Sequence, residues 1–304
     1  MLDLLSLALG FVLVALVAGN NLSVCSGSII ASRVTSRRFG VLVTILGYVL
    51  GVVLQGNLMA ATISAILPTG SPTYIYAALA IAIVIFIVSQ IGRIPQSLSI
   101  TLTMTLVGMD IASGSPINWG FMLNVAYFWV LIPFLSLGMV VLIMGALRSR
   151  GEIKHIWQEA KVVKALLIIT SFFVAFTLGA NTLGLIDKLL PAGLYNTATT
   201  VVAIVLGSVL LSGSTLRRVG SDIIPLRYVN ALSTQLVSVV LVEFATLFSI
   251  PLSNTQTFIS SVYGAGLSYR NRIIMTKPFI AMVSMWLITA LVGLAAGLAF
   301  GYIA

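Results

Sequence analysis

Ala18-Gly19-Asn20-Asn21 ends one apolar run of this chain, and Leu178-Gly179-Ala180-Asn181-Thr182 ends another in its second half. Each copy is followed, in its own half, by a Pro-x-Ser element: Pro95-Gln96-Ser97 and Pro251-Leu252-Ser253. Glycine beside asparagine in an otherwise apolar span puts polar backbone and side chains at membrane depth. That is tolerated only where they are buried in protein or line a cavity. The spacing predicts a helix break at Gly19–Asn21 and a second at Gly179–Asn181.

Composition sets the frame for these motifs. The 304 residues are 59% hydrophobic and 8% charged, with a mean hydropathy of +1.14. A soluble domain carries about 25% charged residues, and the apolar runs exceed the roughly 20 residues that cross a bilayer. The first run has no basic n-region and leads into a polar motif, so it does not read as a signal peptide. The net charge of +9 lies in short loops and not on a basic, aromatic-laced face, which excludes nucleic acid as the expected partner. Cys25 and His155 are single, so neither a disulfide nor a metal ligand set is expected, and no cofactor is.

In the first half the pattern predicts a helix from Leu4 to Ala18, a continuation to Arg33–Arg38, and a long helix over Phe39–Leu67. Tyr74–Gln90 and Leu98–Asp110 follow, joined by Gly92–Ser97, and Ile117–Leu147 completes the half. The Ser- and Thr-rich stretch after Pro95 favours a re-entrant hairpin over two full crossings. In the second half the order recurs: Val162–Leu178, the break, Tyr195–Leu216, a hairpin over Ala231–Gly266 with its tip at Ile250–Thr255, and Pro278–Tyr302. The Arg148–Lys164 loop, with Ile153, Ile156, Trp157 and Ala160 among its charges, predicts an interfacial helix. The expected fold is an all-α polytopic membrane protein of two inverted-topology repeats with broken helices and re-entrant hairpins. Residues 1–147 form the first repeat, 148–164 the cytoplasmic linker and 165–304 the second repeat.

Charge sets the expected orientation. With the Arg33–Arg38 loop inside, every Lys and Arg except Arg93 and Lys188 falls on the cytoplasmic side, as the positive-inside rule asks. Asp3, Asp110 and Asp187 then fall outside, the two halves run in opposite senses, and both termini are extracytoplasmic. Such paired interruptions in two inverted halves point to a transporter site at mid-membrane.

The candidate ligands follow from helix ends. A helix N-terminus presents unpaired N–H groups and partial positive charge, suited to an oxyanion. Ser97 and Ser99 begin one returning arm; Ser253, Asn254 and Thr255 begin the other. Asn20, Asn21, Asn181 and Thr182 would face them. The same residues could instead cap helices or bond across them. Arg93, beside the first tip, would add bidentate positive charge. Glu243, in the arm before the second tip, is a coupling candidate that could pair with Arg93 or carry a proton.

With these residues in place, the chain resembles the inorganic phosphate transporter (PiT) family. That family has a Gly-Ala-Asn-Asp-x-Ala-Asn signature and a Gly-x-Pro-x-Ser-Thr-Thr tip in each of two inverted halves. Gly179-Ala180-Asn181 matches the start of the second signature, and Pro251, Ser253 and Thr255 match the second tip. Arg217-Arg218-Val219-Gly220 resembles the family's Gly-Arg-Arg-Val stretch, and Gly27-Ser28 the small residues after the first signature. The signature aspartates are Asn21 and Thr182 here. The resemblance implies a secondary transporter of inorganic phosphate working by alternating access in the plasma membrane. The missing carboxylates leave the coupling ion open between Na+ and H+, and sulfate permeases that resemble the family make sulfate the alternative substrate. A homodimer is left open as the assembly. A channel and a non-transporting scaffold are the other classes weighed; an enzyme is not expected, because no nucleophile-plus-base set is visible.

Overall fold

The computed structural model describes residues 4–67, 72–91, 96–148, 156–211, 228–268 and 276–303. Arg93, Pro95, His155 and the Arg217–Gly220 stretch lie outside them. Within them every regular element is helical: α1 (Leu4–Ala31), α2 (Arg37–Gln55), a 3-10 turn (Gly56–Met59), α3 (Ala60–Ile66), α4 (Pro72–Ile91), α5 (Leu98–Ser113) and α6 (Trp119–Arg148). The second half gives α7 (Ile156–Leu178), a π-helical turn (Gly179–Leu183), α8 (Gly184–Leu189), α9 (Leu194–Leu210), α10 (Tyr228–Leu247), α11 (Asn254–Leu267) and α12 (Thr276–Ile303). Seven helical stretches among the described residues are long and apolar enough to cross a membrane. Their outer faces carry large bare side chains such as Phe134, Leu142 and Leu291, which is stable only against lipid.

Several sequence expectations are corrected. The first break does not form: α1 runs unbroken through Gly19, Asn20 and Asn21. Gly19 serves packing instead. A Cβ there would meet Leu211 Cβ at 2.5 Å and Gly207 O at 2.7 Å, so the bare backbone lets α1 and α9 touch. The second break is a π-turn, an extra residue absorbed within a helix that continues to Leu189. The helix expected over Phe39–Leu67 is interrupted by the 3-10 turn at Gly56. Ile156–Lys164, expected in the interfacial segment, are the first turns of α7. Asp187, expected to mark a surface, is buried; it accepts from Asn196 Nδ2 (3.3 Å) and Thr200 Oγ1 (3.0 Å) and pairs with Lys188 (3.0 Å).

Packing between the halves is reciprocal. α1 packs on α9 and α2 on α7, so the first helix of each half meets the second helix of the other. α5 packs on α12 and α11 on α6, so each short arm meets the last long helix of the other half. The α2–α7 contact is again glycine-mediated: a Cβ on Gly51 would strike Phe176 O and come within 2.8 Å of Ala180 N. Gln235, fully buried on α10, ties three elements. Its Nε2 donates to Ser28 Oγ (2.7 Å) and Ser171 Oγ (2.8 Å), with Cys25 O (3.2 Å) sharing one of the two protons, and its Oε1 accepts from Thr170 Oγ1 (2.7 Å). α10 and α11 form a helical hairpin around the turn at residues 248–253, and α4 packs on α5 in the same way. At 14 residues, α11 is about 21 Å long, too short for the roughly 30 Å hydrocarbon core.

Candidate functional site

The turn between α10 and α11 is built by local rules. Ser249 adopts φ 57°, in the left-handed region, and Ile250 N–H returns to Ala245 O at 2.8 Å. Pro251 stops the chain from re-entering the helix. Ser253 then caps α11, its Oγ accepting from Gln256 N at 3.2 Å. Ser97 caps α5 in the same way, through Ile100 N at 3.4 Å. Both serines expected as ligands therefore spend their hydroxyls as acceptors within their own first turn.

The turn is held from four sides. Asn181, on the π-turn, receives Leu252 N–H on Oδ1 (2.9 Å) and donates through Nδ2 to Ile250 O (2.9 Å) and Thr246 Oγ1 (3.0 Å). Trp129 Nε1 donates to Pro251 O at 2.7 Å. Thr62, on α3, donates to Ser249 O. Ser99, on the arm of the other half, donates to Leu252 O at 3.2 Å. A hydroxyl has one proton, so in the Ser99–Thr182 contact of 3.3 Å Thr182 is the donor. Thr255 Oγ1 donates to Asn21 Oδ1 at 3.1 Å.

The structure thus brings Asn21, Ser99, Asn181, Thr182, Ser253, Asn254 and Thr255 to the second turn, with Ser97 capping the adjoining arm. The π-turn explains how Asn181 and Thr182 reach it: such a turn re-aims side chains locally and is frequent at functional sites. Asn20 is half-buried and lends only its carbonyl, to Ser23 Oγ at 3.3 Å. Arg93 lies outside the described residues. Glu243 accepts from Gln55 Nε2 at 2.6 Å. Sequence reasoning missed Thr62, Trp129 and Gln55. Only Trp129 left a signal, since a buried indole N–H needs an acceptor.

The residues around the turn are buried, polar and uncharged. Thr101, Thr103, Thr105, Gln256, Thr257, Ser260 and Ser261 line the first turns of α5 and α11. The Thr103, Ser260 and Ser261 hydroxyls have no hydrogen-bond partner, and Asn254, 3% exposed, has none on either Oδ1 or Nδ2. A buried, unsatisfied amide costs about 1–3 kcal/mol per group, so both polar atoms of Asn254, at the N-terminus of α11, are left to bond a further group. The first N–H groups of α5 and α11 likewise have no intrahelical acceptors. Together they make a set of neutral donors. Among the described residues no cluster of metal-ligating side chains occurs.

Comparison with known proteins agrees with this architecture. The sequence matches the phosphate transporter family over residues 17–188 and 151–297. It is 22% identical over 299 residues to a protein named as a phosphate permease in Methanocaldococcus jannaschii, covering 96% of this chain and 95% of the relative. It is 23% identical over 288 residues to a sulfate permease of Bacillus subtilis, covering 91% and 80%. A solved sodium-dependent phosphate transporter superposes with a TM-score of 0.86 over 99% of this chain and 98% of that one, at 16% identity. The chain is a multi-pass membrane transporter, not an enzyme, and belongs to the phosphate transporter family.

Proposed function

We propose that the protein is a secondary active transporter of inorganic phosphate. The anion sits between the N-termini of α5 and α11, ligated by their backbone N–H groups, Asn254 and Thr255. The unpartnered Asn254 amide carries this reading. Hydrogenphosphate presents both acceptor oxygens and a P–OH donor, and an amide supplies one group for each: Nδ2 donates and Oδ1 accepts. Asn21, Ser99, Asn181 and Thr182 act one step back, by fixing the turn that aims these donors. Arg93 would add positive charge beside the first tip.

Transport then follows from how the turn is held. Its grips come from α3, the π-turn, α6 and α5, so the hairpin can rock only by exchanging some of them. Cross-helix hydrogen bonds in membranes average about 0.6 kcal/mol each, cheap enough to exchange in a cycle. The reciprocal packing supports an inverted repeat, with residues 1–147 and 165–304 as its halves and 148–164 between them. The two short arms are then re-entrant, and the halves alternate access around a midplane site. Loop charges support an orientation with both termini outside the plasma membrane.

Sulfate is the second reading, favoured by the sulfate permease relative and by Asn21 and Thr182 at the signature aspartate positions. Uptake of labelled phosphate into proteoliposomes, competed with sulfate, tests both. Asn254→Ala should raise the phosphate KM by about 10-fold or more, the effect of losing a hydrogen bond to a charged group. Unchanged KM would remove Asn254 from the site. Efficient sulfate competition followed by sulfate uptake would move the substrate to sulfate.

A further inference from the structure

Glu243 lies within α10, a helix apolar enough to cross the membrane, and a carboxyl there is expensive unless it has a task. Its Oε1 accepts from Gln55 Nε2 at 2.6 Å. The two remaining atoms of the pair, Glu243 Oε2 and Gln55 Oε1, are both buried and both without a partner. Both are acceptors when Glu243 is ionised. One proton satisfies them together: Oε2–H donates to Gln55 Oε1 while Gln55 Nε2 donates to Oε1, closing a two-bond acid–amide ring. A hard metal cation asks for about six oxygens, and the pair offers two.

Among the described residues no other charge competes for the site. α10 packs against the 3-10 turn, α6, α7, the π-turn and α11, and the end of α2 reaches it through Gln55. Lys164 sits over the Tyr228 ring at 5.6 Å, so the charged start of α7 (Glu159, Lys161, Lys164) runs level with Tyr228. That is about 22 Å along α10 from Glu243. Arg37 and Arg38 start α2, whereas Gln55 ends it, about 26 Å on. Arg148 ends α6 beyond Met144, which contacts Ser233. Of the tyrosines on these elements, Tyr48 bonds Cys25 (3.3 Å), Tyr263 stacks on Phe279 and Tyr127 faces outward. The 3-10 turn, the π-turn and the first turns of α11 hold no titratable group.

We infer that the Glu243–Gln55 pair is a proton-binding site, and that its proton is the one coupled to anion movement. This rests on the transporter reading above. The proton adds a second bond between the end of α2 and the arm leading into the anion-holding turn; its loss leaves a bare carboxylate and loosens that arm. Proton binding and hairpin position are thereby linked.

Two measurements on the reconstituted full chain test this. Infrared difference spectra over a pH titration, wild type minus Glu243→Gln, should show a protonated carboxylic acid C=O band that shifts in Gln55→Leu. Asp110, whose two carboxyl oxygens are both buried and unpartnered, is common to all samples and cancels. A missing band, or one unmoved by Gln55→Leu, overturns the proton site whether or not any anion is transported. In uptake assays an imposed inward proton gradient should raise wild-type accumulation several-fold and leave Glu243→Gln unaffected. Gradient-driven accumulation by Glu243→Gln would overturn the coupling role. Failure of wild type to take up phosphate or sulfate would instead overturn the transporter reading.

Discussion

Asn181→Ala is the substitution that most directly tests whether the turn, and not only its ligands, makes the site. The change removes three bonds that join the π-turn to residues 246–252: to Thr246 Oγ1 at 3.0 Å, Ile250 O at 2.9 Å and from Leu252 N at 2.9 Å. At the average worth of a cross-helix bond in a membrane, three come to about 2 kcal/mol. Two of the partners are backbone groups left behind in a buried place, and at about 1–3 kcal/mol each the upper end is about 6 kcal/mol. Even the lower figure corresponds to about 30-fold in the population of the pinned turn. Ser99, Trp129 and Thr62 still hold the neighbouring carbonyls, so the hairpin should loosen locally while the bundle stays folded. Hydrogen exchange read at the Leu252 amide should therefore quicken by at least about 10-fold, with phosphate uptake falling in parallel. Wild-type exchange at Leu252 together with wild-type uptake would refute the claim that Asn181 organises the site.

Two further outcomes separate scaffold from site. Gly51→Ala forces a methyl against Phe176 O and Ala180 N; overpacking of this kind costs about 1–3 kcal/mol and should lower the unfolding temperature in detergent, whereas an unchanged temperature would mean that α2 and α7 do not pack this closely. Trp129→Phe keeps the ring and frees Pro251 O, which should cost about 1–2 kcal/mol, seen as reduced uptake with an intact size-exclusion profile; full activity would show that α6 does not help hold the turn.

Among the described residues, helix order and the two short arms were legible because they rest on apolar length and on Pro and Ser, whose effects are local. Ser253 and Ser97 begin α11 and α5 as their capping chemistry predicts. The Gly19–Asn21 break was misread because glycine has two uses, bending a chain and letting another backbone approach. Sequence spacing cannot tell these apart. Here the approach of Gly207 decides for packing. Gly179 was read more nearly right, since the helix is indeed distorted there, but it forms a π-turn within a helix that continues to Leu189. Thr62 and Gln55 were invisible, and the partner of Trp129 could not be named, for another reason. Each bonds a residue more than a hundred positions away, and nothing local marks such a partner.

The replacement of two signature carboxylates by Asn21 and Thr182 has a consistent electrostatic consequence. Asn21 takes Thr255 Oγ1–H and Thr182 gives its proton to Ser99, so both positions still hold the turn while contributing no charge. Neutral donors attract an oxyanion through helix dipoles and N–H groups, and without these carboxylates the site lacks the negative charge that would draw a metal cation in beside it. An anion crossing the membrane against its own charge still needs a positive companion. On the proposed reading that companion is a proton held on Glu243, one hairpin arm away, where the Gln55 amide and not the anion completes its hydrogen bonding. Restoring a carboxylate with Asn21→Asp is then an informative variant: it should weaken phosphate binding by about 10-fold in the absence of sodium and recover it when sodium is added. Sodium-independent uptake by Asn21→Asp at the wild-type KM would show that position 21 does not sense charge at the anion site.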